Sequence, residues 1–202
     1  MDKHLNENPV VSMKNISKSF GDKQVLSNVN FDLHKSEVHA LLGENGAGKT
    51  TLMNILYGMF PPSDGTITIN GKTFTNMTPK MAIDAGIGMV HQHFMLIEPL
   101  TVTENIILGY EEDTGLFLDR KTAREKISKL SEEYGLMIDP DARVEDITVG
   151  QQQRVEILKA LYRGADILIF DEPTAVLTPQ EINEFIEIIN KLTKMDKSII
   201  II

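Results

Sequence analysis

The segment 43–50, which reads GENGAGKT, constrains the fold of this chain more than any other part of the sequence. It matches the pattern GxxxxGK[ST] and contains one further glycine, Gly46. The apolar run VHALL precedes it, and a run with Leu52, Leu56 and Met59 at helical spacing follows it. The order of strand, glycine-rich turn and helix predicts an α/β unit with an anion-binding loop between its two elements.

The chemistry of this loop indicates a nucleotide phosphate site. Glycines allow successive backbone N–H groups to point at phosphate oxygens, at the positive end of the following helix. We expect Lys49 to reach the β- and γ-phosphates as a catalytic residue, and the Thr50 hydroxyl to ligate Mg²⁺. A glycine-rich turn with a solvated lysine is the alternative, and the complete pattern between a strand and a helix argues against it. The predicted ATP contacts in this region are Gly43, Asn45, Gly46, Ala47, Gly48, Lys49, Thr50 and Thr51.

A pair of carboxylates, Asp171 and Glu172, follows the apolar run ILIF. Two adjacent carboxylates at the end of a buried strand are expected to have different roles. We expect Asp171 to join the Mg²⁺ shell through water and Glu172 to polarise the attacking water as a general base. The alternative is a strand-terminal acidic turn, which is less consistent with a complete phosphate loop elsewhere in the chain.

Strand and helix patterns alternate along the rest of the chain. Roughly alternating runs at 10–20 and 25–33 and a hairpin pattern at 65–75 predict a β-rich region, and GIGMVHQ predicts a buried strand. Helical patterns dominate from about 100 to 165, before the buried strands ILIF and SIIII. We therefore expect an α/β core with an inserted helical lobe, divided into a nucleotide-binding core with an antiparallel β subdomain (9–95), an inserted helical subdomain (96–160) and the rest of the core (161–202).

Three helices carry recognisable boundaries. Thr101 precedes Glu104 by three residues, which is the spacing of a capping box, although Thr103 is an equally good cap. A charged amphipathic helix is predicted from Asp119 to the glycine at 135. Thr178 is the expected N-cap of the helix PQEINEFIEIINKLTK.

The charge balance excludes some partners. The chain has 29 acidic and 20 basic residues, a net charge of −9, and no long block of Lys and Arg, so nucleic acid is not an expected partner. No apolar run reaches the roughly 20 residues of a spanning helix, and the N-terminus lacks the apolar core of a signal peptide. These features and the absence of cysteine predict a cytoplasmic location, with any membrane attachment made through a protein.

The segment 147–154, ITVGQQQR, resembles the LSGGQ signature of ABC-transporter ATPases. With the glycine loop before it and the acidic pair after it, the chain resembles that family over nearly its whole length. The resemblance implies a P-loop NTPase (RecA-like) core, and a signature loop that closes on ATP held by a second cassette in a head-to-tail pair. Thr148, Gly150 and Gln151 would then contact the nucleotide. Val149 stands where the family has a glycine, which reduces backbone freedom.

Other site residues follow from the same resemblance. Phe20 matches the aromatic residue that stacks on adenine, with Val25 beside it, and a strand-end core Phe is the alternative. Gln92 matches the glutamine that contacts Mg²⁺ or water, which makes it a metal and catalytic residue. The histidines that flank it, His91 and His93, are expected to be surface or packing residues because no clear third ligand accompanies them.

The resemblance also implies a function. Thr178 stands where the wider family has Asp, as in monosaccharide importers, and HQHFMLIEPLTVTENIILG resembles nucleoside importers. We expect an ATP-hydrolysing subunit, peripheral at the cytoplasmic face of the cell membrane, that powers uptake of a simple sugar or nucleoside. Its partners would be a second cassette, transmembrane permease subunits and an extracytoplasmic substrate-binding protein. A soluble non-transport ABC ATPase and an ATP-dependent dimerising sensor without turnover are the alternatives.

Cassettes of the family carry a switch histidine after the acidic pair. All five histidines of this chain precede Glu172, and the sequence ends at Ile202. We therefore expect a C-terminally truncated first cassette that binds ATP and Mg²⁺ but hydrolyses ATP weakly, since loss of one transition-state contact slows turnover by on the order of 100-fold.

Overall fold

The computed structural model describes residues 8–110 and 120–202. Within these ranges the strands are β1 (Val11–Phe20), β2 (Lys23–Leu33), β3 (Val38–Ala40), β4 (Asp64–Ile69), β5 (Lys72–Phe74), β6 (Ile87–Val90), β7 (Ile167–Phe170) and β8 (Ser198–Ile201). The α-helices are α1 (Lys49–Leu56), α2 (Pro79–Asp84), α3 (Val102–Ile107), α4 (Arg120–Tyr134), α5 (Val149–Tyr162) and α6 (Pro179–Lys194). No helix of this described part combines the length and apolar character needed to span a membrane.

The strands form two four-stranded sheets of different kinds. One sheet has the order β2-β1-β4-β5, and its pairs are antiparallel. The other has the order β3-β8-β7-β6, and its pairs are parallel. The predicted α/β class with an antiparallel β subdomain is therefore confirmed.

A two-residue turn fixes the register of the predicted hairpin. Asn70 and Gly71 join β4 to β5 with φ of 48° and 78°. Positive φ at both central residues is the requirement of a type I′ turn, and Asn-Gly is the dipeptide that meets it most readily. The strands leave this turn with Ile67 paired to Phe74, so both apolar side chains face the same buried side of the sheet.

The parallel sheet separates two apolar cores. Leu168 and Phe170 of β7 pack with the helices α3, α4, α5 and α6 on one face. Ile167 and Ile169 face the opposite side, where α1 and the antiparallel sheet complete the second core. This alternation along a strand buried on both faces gives the continuous apolar run typical of a central parallel strand.

Helix α5 lies very close to the sheet at Gly88 of β6. A Cβ atom at this position would lie 2.7 Å from Cβ of Ala160 and 3.0 Å from Cβ of Ala165. Glycine is therefore required here by the close approach of the helix, although its own φ is unremarkable. Helices α3 and α4 pack against α5 and against each other. The subdomain boundaries expected at 95/96 and 160/161 stay predictions. Ala160 shares an apolar core with Leu168 and Phe170 of the sheet.

The structure decides between the helix caps that the sequence left open. Thr101 is the N-cap of α3, with both bonds of the capping box to Glu104, whereas the Thr103 hydroxyl is buried and donates to the carbonyl of Pro140. The expected N-cap at Thr178 is confirmed, and it forms a second capping box with Glu181. Helix α4 matches the amphipathic prediction, whose first residue, Asp119, lies outside the described residues.

Two predictions about element length are wrong. Helix α1 ends at Leu56 because Gly58 adopts φ of 83° and lies where a Cβ would be 2.5 Å from the Thr78 carbonyl carbon. Met59, placed on the helix face by its spacing, is instead outside the helix and 47% exposed. The strand predicted from the run EVHALLG is limited to Val38–Ala40, the residues in register with β8, although the Leu41 N–H still donates to the carbonyl of Ile201.

The close approach at Gly88 gives a prediction for stability. We expect Gly88→Ala to reduce the free energy of unfolding by about 1–3 kcal/mol, measured by urea denaturation, because neither neighbouring methyl group can rotate away. The change Ala160→Gly removes the nearest methyl group, so the double variant should be less destabilised than the sum of the two single variants. Additive losses would contradict the proposed contact.

Candidate functional site

The glycine loop joins the end of β3 to the start of α1. Gly46 and Gly48 have φ of 83° and 94°, a conformation that side chains disfavour. Gly48 is the N-cap of α1, and a Cβ there would lie 2.7 Å from Cδ2 of Leu26 and 3.3 Å from the carbonyl oxygen of Val25. The loop thus needs glycine for both its shape and its contact with β2.

The Lys49 ammonium lies against the loop itself. It donates hydrogen bonds to the carbonyl oxygens of Gly43 (2.7 Å) and Glu44 (3.0 Å). Lys49 is also the first residue of α1, so its charge is added to the positive end of the helix dipole. The ammonium charge and the helix dipole both favour the binding of an anion at this point.

Asp171 leaves the end of β7 beside the start of α1. The Thr50 hydroxyl donates a hydrogen bond of 3.3 Å to Oδ1 of Asp171. Burial raises the pKa of the Asp171 carboxyl above its ordinary value and the neighbouring Glu172 adds to the rise, although the bond from Thr50 opposes it. A hydroxyl and a carboxylate oxygen this close are the hard donors that Mg²⁺ prefers, with phosphate and water completing its shell. The side chains present therefore fit the predicted Mg²⁺ site.

Glu172 has an unusual backbone conformation and a specific side-chain partner. Its φ is 46°, and its backbone N–H donates to the carbonyl of Ile202 at 2.9 Å. Its Oε2 accepts a hydrogen bond of 2.7 Å from Nε2 of Gln92, which follows β6. A non-glycine residue at positive φ stores strain, and such strain is concentrated at functional sites. The structure thus brings together two residues that are 80 positions apart in the sequence.

These groups surround one cleft of about 190 Å³. Its mixed polar and apolar lining suits a ligand that carries both phosphate and a ring. The cleft is lined by Val25, Asn45, Gly46, Gly48, Lys49, Thr50, Thr51, Asp171, Glu172 and Ile202. Of the predicted site residues, Gly43, Ala47 and Gln92 lie beside it in the loop or next to Glu172.

The aromatic residue predicted to stack on adenine is accessible. Phe20 ends β1 with 45% of its surface exposed, so the alternative of a core residue is contradicted. The rings of Phe20 and Phe60 pack edge-to-face with their centroids 5.5 Å apart, and the Lys18 ammonium lies 5.1 Å from the centroid of the Phe20 ring. A stacking role for Phe20 stays a prediction. The His91 ring packs edge-to-face on Tyr57.

The signature-like residues occupy a separate turn at the start of α5. Thr148 is the N-cap, and its backbone N–H donates to Oε1 of Gln151 in a third capping box. The Gly150 N–H donates to Oε1 of Glu181 at 3.1 Å. None of these predicted nucleotide contacts lines the cleft, so their role stays a prediction that requires a second copy.

Sequence reasoning missed two residues of these sites. Ile202 lines the cleft at the end of the β8 run, and Glu181 binds the Gly150 amide. The carboxyl ends of parallel strands meet at one edge, which could have indicated Ile202. No local pattern indicates the contact of Glu181 with a turn 31 residues away.

Comparison with known proteins identifies relatives over nearly the whole chain. Nucleoside import ATP-binding protein NupA of Lactococcus lactis is 61% identical over 193 residues, and guanosine import ATP-binding protein NupO of Bacillus subtilis is 55% identical over 191. The alignments cover 96% and 95% of this chain and 38% of each relative. A ribose import ATP-binding protein of Escherichia coli O157:H7 is 40% identical over 98% of the chain and 39% of its own length. The chain therefore spans less than half of these relatives.

Solved structures support the same assignment. The ADP conformation of MJ1267, an ATP-binding cassette of an ABC transporter, matches with a TM-score of 0.85 and 25% identity, over 96% of this chain and 81% of that one. The dimeric structure of MJ0796, a bacterial ABC transporter cassette, matches with a TM-score of 0.79 and 25% identity, over 95% and 86%. Residues 26–175 match the family model described as ABC transporter. The chain belongs to the ABC transporter family.

Proposed function

We propose that this chain binds ATP with Mg²⁺ in the cleft and hydrolyses it to power an importer of nucleosides or simple sugars. The observation that carries the proposal is the meeting of Lys49 and Thr50 with Asp171 and Glu172 around a single cleft. The side chains there match the requirements of phosphoryl transfer, in which positioning and charge stabilisation supply most of the catalysis.

Each group has a distinct role in this proposal. The loop amides and Lys49 hold the β- and γ-phosphates, while Thr50 and Asp171 hold Mg²⁺, which would neutralise the charge developing on the phosphates. Glu172 accepts a proton from the attacking water as general base. Gln92 orients the Glu172 carboxylate through its 2.7 Å hydrogen bond and offers its amide oxygen to the metal or the water. Phe20 and Val25 receive the adenine ring.

The names of the relatives support the transport role. Nucleoside, guanosine and ribose import proteins are all similar to this chain, so a nucleoside or a simple sugar is the proposed cargo class. The dimeric MJ0796 structure supports pairing with a second cassette, in which the Thr148–Gln151 turn of one copy meets the nucleotide of the other. Transmembrane permease subunits and an extracytoplasmic binding protein complete the system, in which this chain lies at the cytoplasmic face of the membrane.

The general base gives the most direct test of the proposal. We expect Glu172→Gln to reduce steady-state ATP hydrolysis by on the order of 10²- to 10⁴-fold, because the amide cannot accept the proton of water. ATP affinity should change by less than about 3-fold, since the loop and its lysine remain. Phosphate release and fluorescent-nucleotide binding measure the two quantities. Glu187→Gln, an exposed position of α6, is the matched control.

Two results would argue against this function. Unchanged hydrolysis in Glu172→Gln would exclude the general-base role. A parent chain that binds ATP and never releases phosphate, alone or with the partner cassette, would favour a dimerising sensor without turnover.

The metal site is tested by two changes at one position. Thr50→Ala removes the hydroxyl next to Asp171, whereas Thr50→Ser keeps it. We expect the alanine variant to need about 10-fold more Mg²⁺ for half-maximal ATP binding, and the serine variant to remain within about 2-fold of the parent. Titration of Mg²⁺ at fixed ATP measures this difference. Equal Mg²⁺ requirements in the two variants would contradict the assignment.

A further inference from the structure

Three polar contacts join the start of α5 to the segment 173–184, which includes the first turns of α6. The Gly150 N–H donates to Oε1 of Glu181 at 3.1 Å. One turn further along α5, the Arg154 guanidinium forms an ion pair with Glu184 of α6. Between these two contacts, the buried Gln153 side chain donates to the carbonyl of Pro173 at 2.9 Å. The turn that carries the signature-like residues is therefore held against the segment that follows Glu172.

The two oxygens of Glu181 have different partners. Oε2 accepts from the backbone N–H and the hydroxyl of Thr178, both at 2.9 Å, and so completes the capping box of α6. Oε1 points at Gly150. These hydrogen bonds, first from the Thr178 backbone and hydroxyl and then from Gly150, hold the pKa of Glu181 below its ordinary value. The side chain is therefore an anion at neutral pH.

The absence of a side chain at Gly150 allows the Glu181 carboxylate to approach its backbone N–H. A Cβ at residue 150 would lie only 2.6 Å from Oε1 and 3.0 Å from Cδ of Glu181. The neighbouring donors of the turn are also satisfied within the chain, because Thr148 N–H donates to Gln151 and Gln151 N–H donates to Thr148. An anion supplied by α6 already occupies the amide at the N-terminal turn of α5, where the helix dipole favours negative charge.

We propose that Glu181 is a positioning residue that occupies the Gly150 amide until a nucleotide phosphate carried by a second cassette displaces it. The inference rests on the proposed function, in which the turn 148–151 meets the nucleotide of the other copy. One N–H group cannot serve two anions, and a carboxylate left in place would repel the phosphate. Glu181 thus sets the ATP concentration at which two cassettes close.

The chain offers a selective variant and a matched control. In Glu181→Gln the single side-chain oxygen can still accept from Thr178, but the amide group that replaces Oε1 cannot accept from Gly150. Glu184→Gln makes the same change of charge one turn along α6, at a carboxylate that contacts Arg154 and Gln180. Melting temperatures of both variants report whether α6 and its cap are intact.

The first measurement is ATP-dependent dimerisation of the chain in the Glu172→Gln background. Sedimentation reports the dimer fraction at each point of an ATP titration. We expect Glu181→Gln to lower the ATP concentration for half-maximal dimer by about 10-fold, the scale of one hydrogen bond to a charged group. Glu184→Gln should stay within about 2-fold of the background, and nucleotide affinity of the monomer should be equal in all three proteins. An unchanged or raised midpoint in Glu181→Gln would overturn the inference.

A second measurement separates this inference from the proposed function. If the background protein binds ATP but remains monomeric, the shared site of the proposed function fails. Inorganic phosphate is then titrated against the ¹⁵N-labelled chain while the Gly150 amide resonance is observed. Displacement at several-fold lower phosphate in Glu181→Gln than in Glu184→Gln supports the role of Glu181, and equal titrations refute it.

Discussion

The pairing of β7 with the strands on either side of it determines the backbone position of the two acidic residues of the proposed site. Asp171 N–H donates to the carbonyl of Val90, and Glu172 N–H donates to that of Ile202. The hydrogen-bond ladder therefore continues past the end of β7 and holds the backbone of both acidic residues between β6 and β8. Since β7 is buried on both faces, the two carboxylates directly follow a strand that is packed on both sides. Preorganised charge of this kind is what electrostatic catalysis requires.

The same sheet keeps the two proposed anion-binding turns apart. Helix α1, with the phosphate loop at its start, packs into the core on one face through Met53 and Ile55. Helix α5, with the turn at Thr148, packs into the core on the other face through Val155 and Ile157. One chain can thus present a phosphate loop and a signature-like turn on different faces of a single sheet. A head-to-tail arrangement of two copies is a natural way to bring unlike turns together.

The sequence predicts those features whose determinants lie within a few residues. The glycine loop, the Asn70–Gly71 turn and the cap at Thr178 are each specified by a local pattern with a local physical cause, whereas the pattern at Thr101 leaves Thr103 as an equal alternative. Asp171 and Glu172 could be proposed as site residues because the strand before them is easy to recognise as buried on both faces, whereas Gln92 is proposed only from the family resemblance. The positions that failed depend on tertiary contacts. Met59 lies outside α1 because Gly58 meets the backbone near Thr78, and no spacing rule contains that contact.

The buried hydrogen bond from Gln153 to Pro173 has a mechanical consequence. Pro173 follows Glu172 directly, so sliding α5 relative to this segment would leave a buried amide group without a partner, at a cost of about 1–3 kcal/mol. Near its other end, α5 packs on β6 with only the Ala160 methyl group between the helix backbone and Gly88. A helix of 14 residues fixed at both ends is a stiff rod of about 21 Å. A displacement of α5 by a partner that binds its outer surface would therefore also move the backbone next to Glu172, through the hydrogen bond from Gln153 to Pro173.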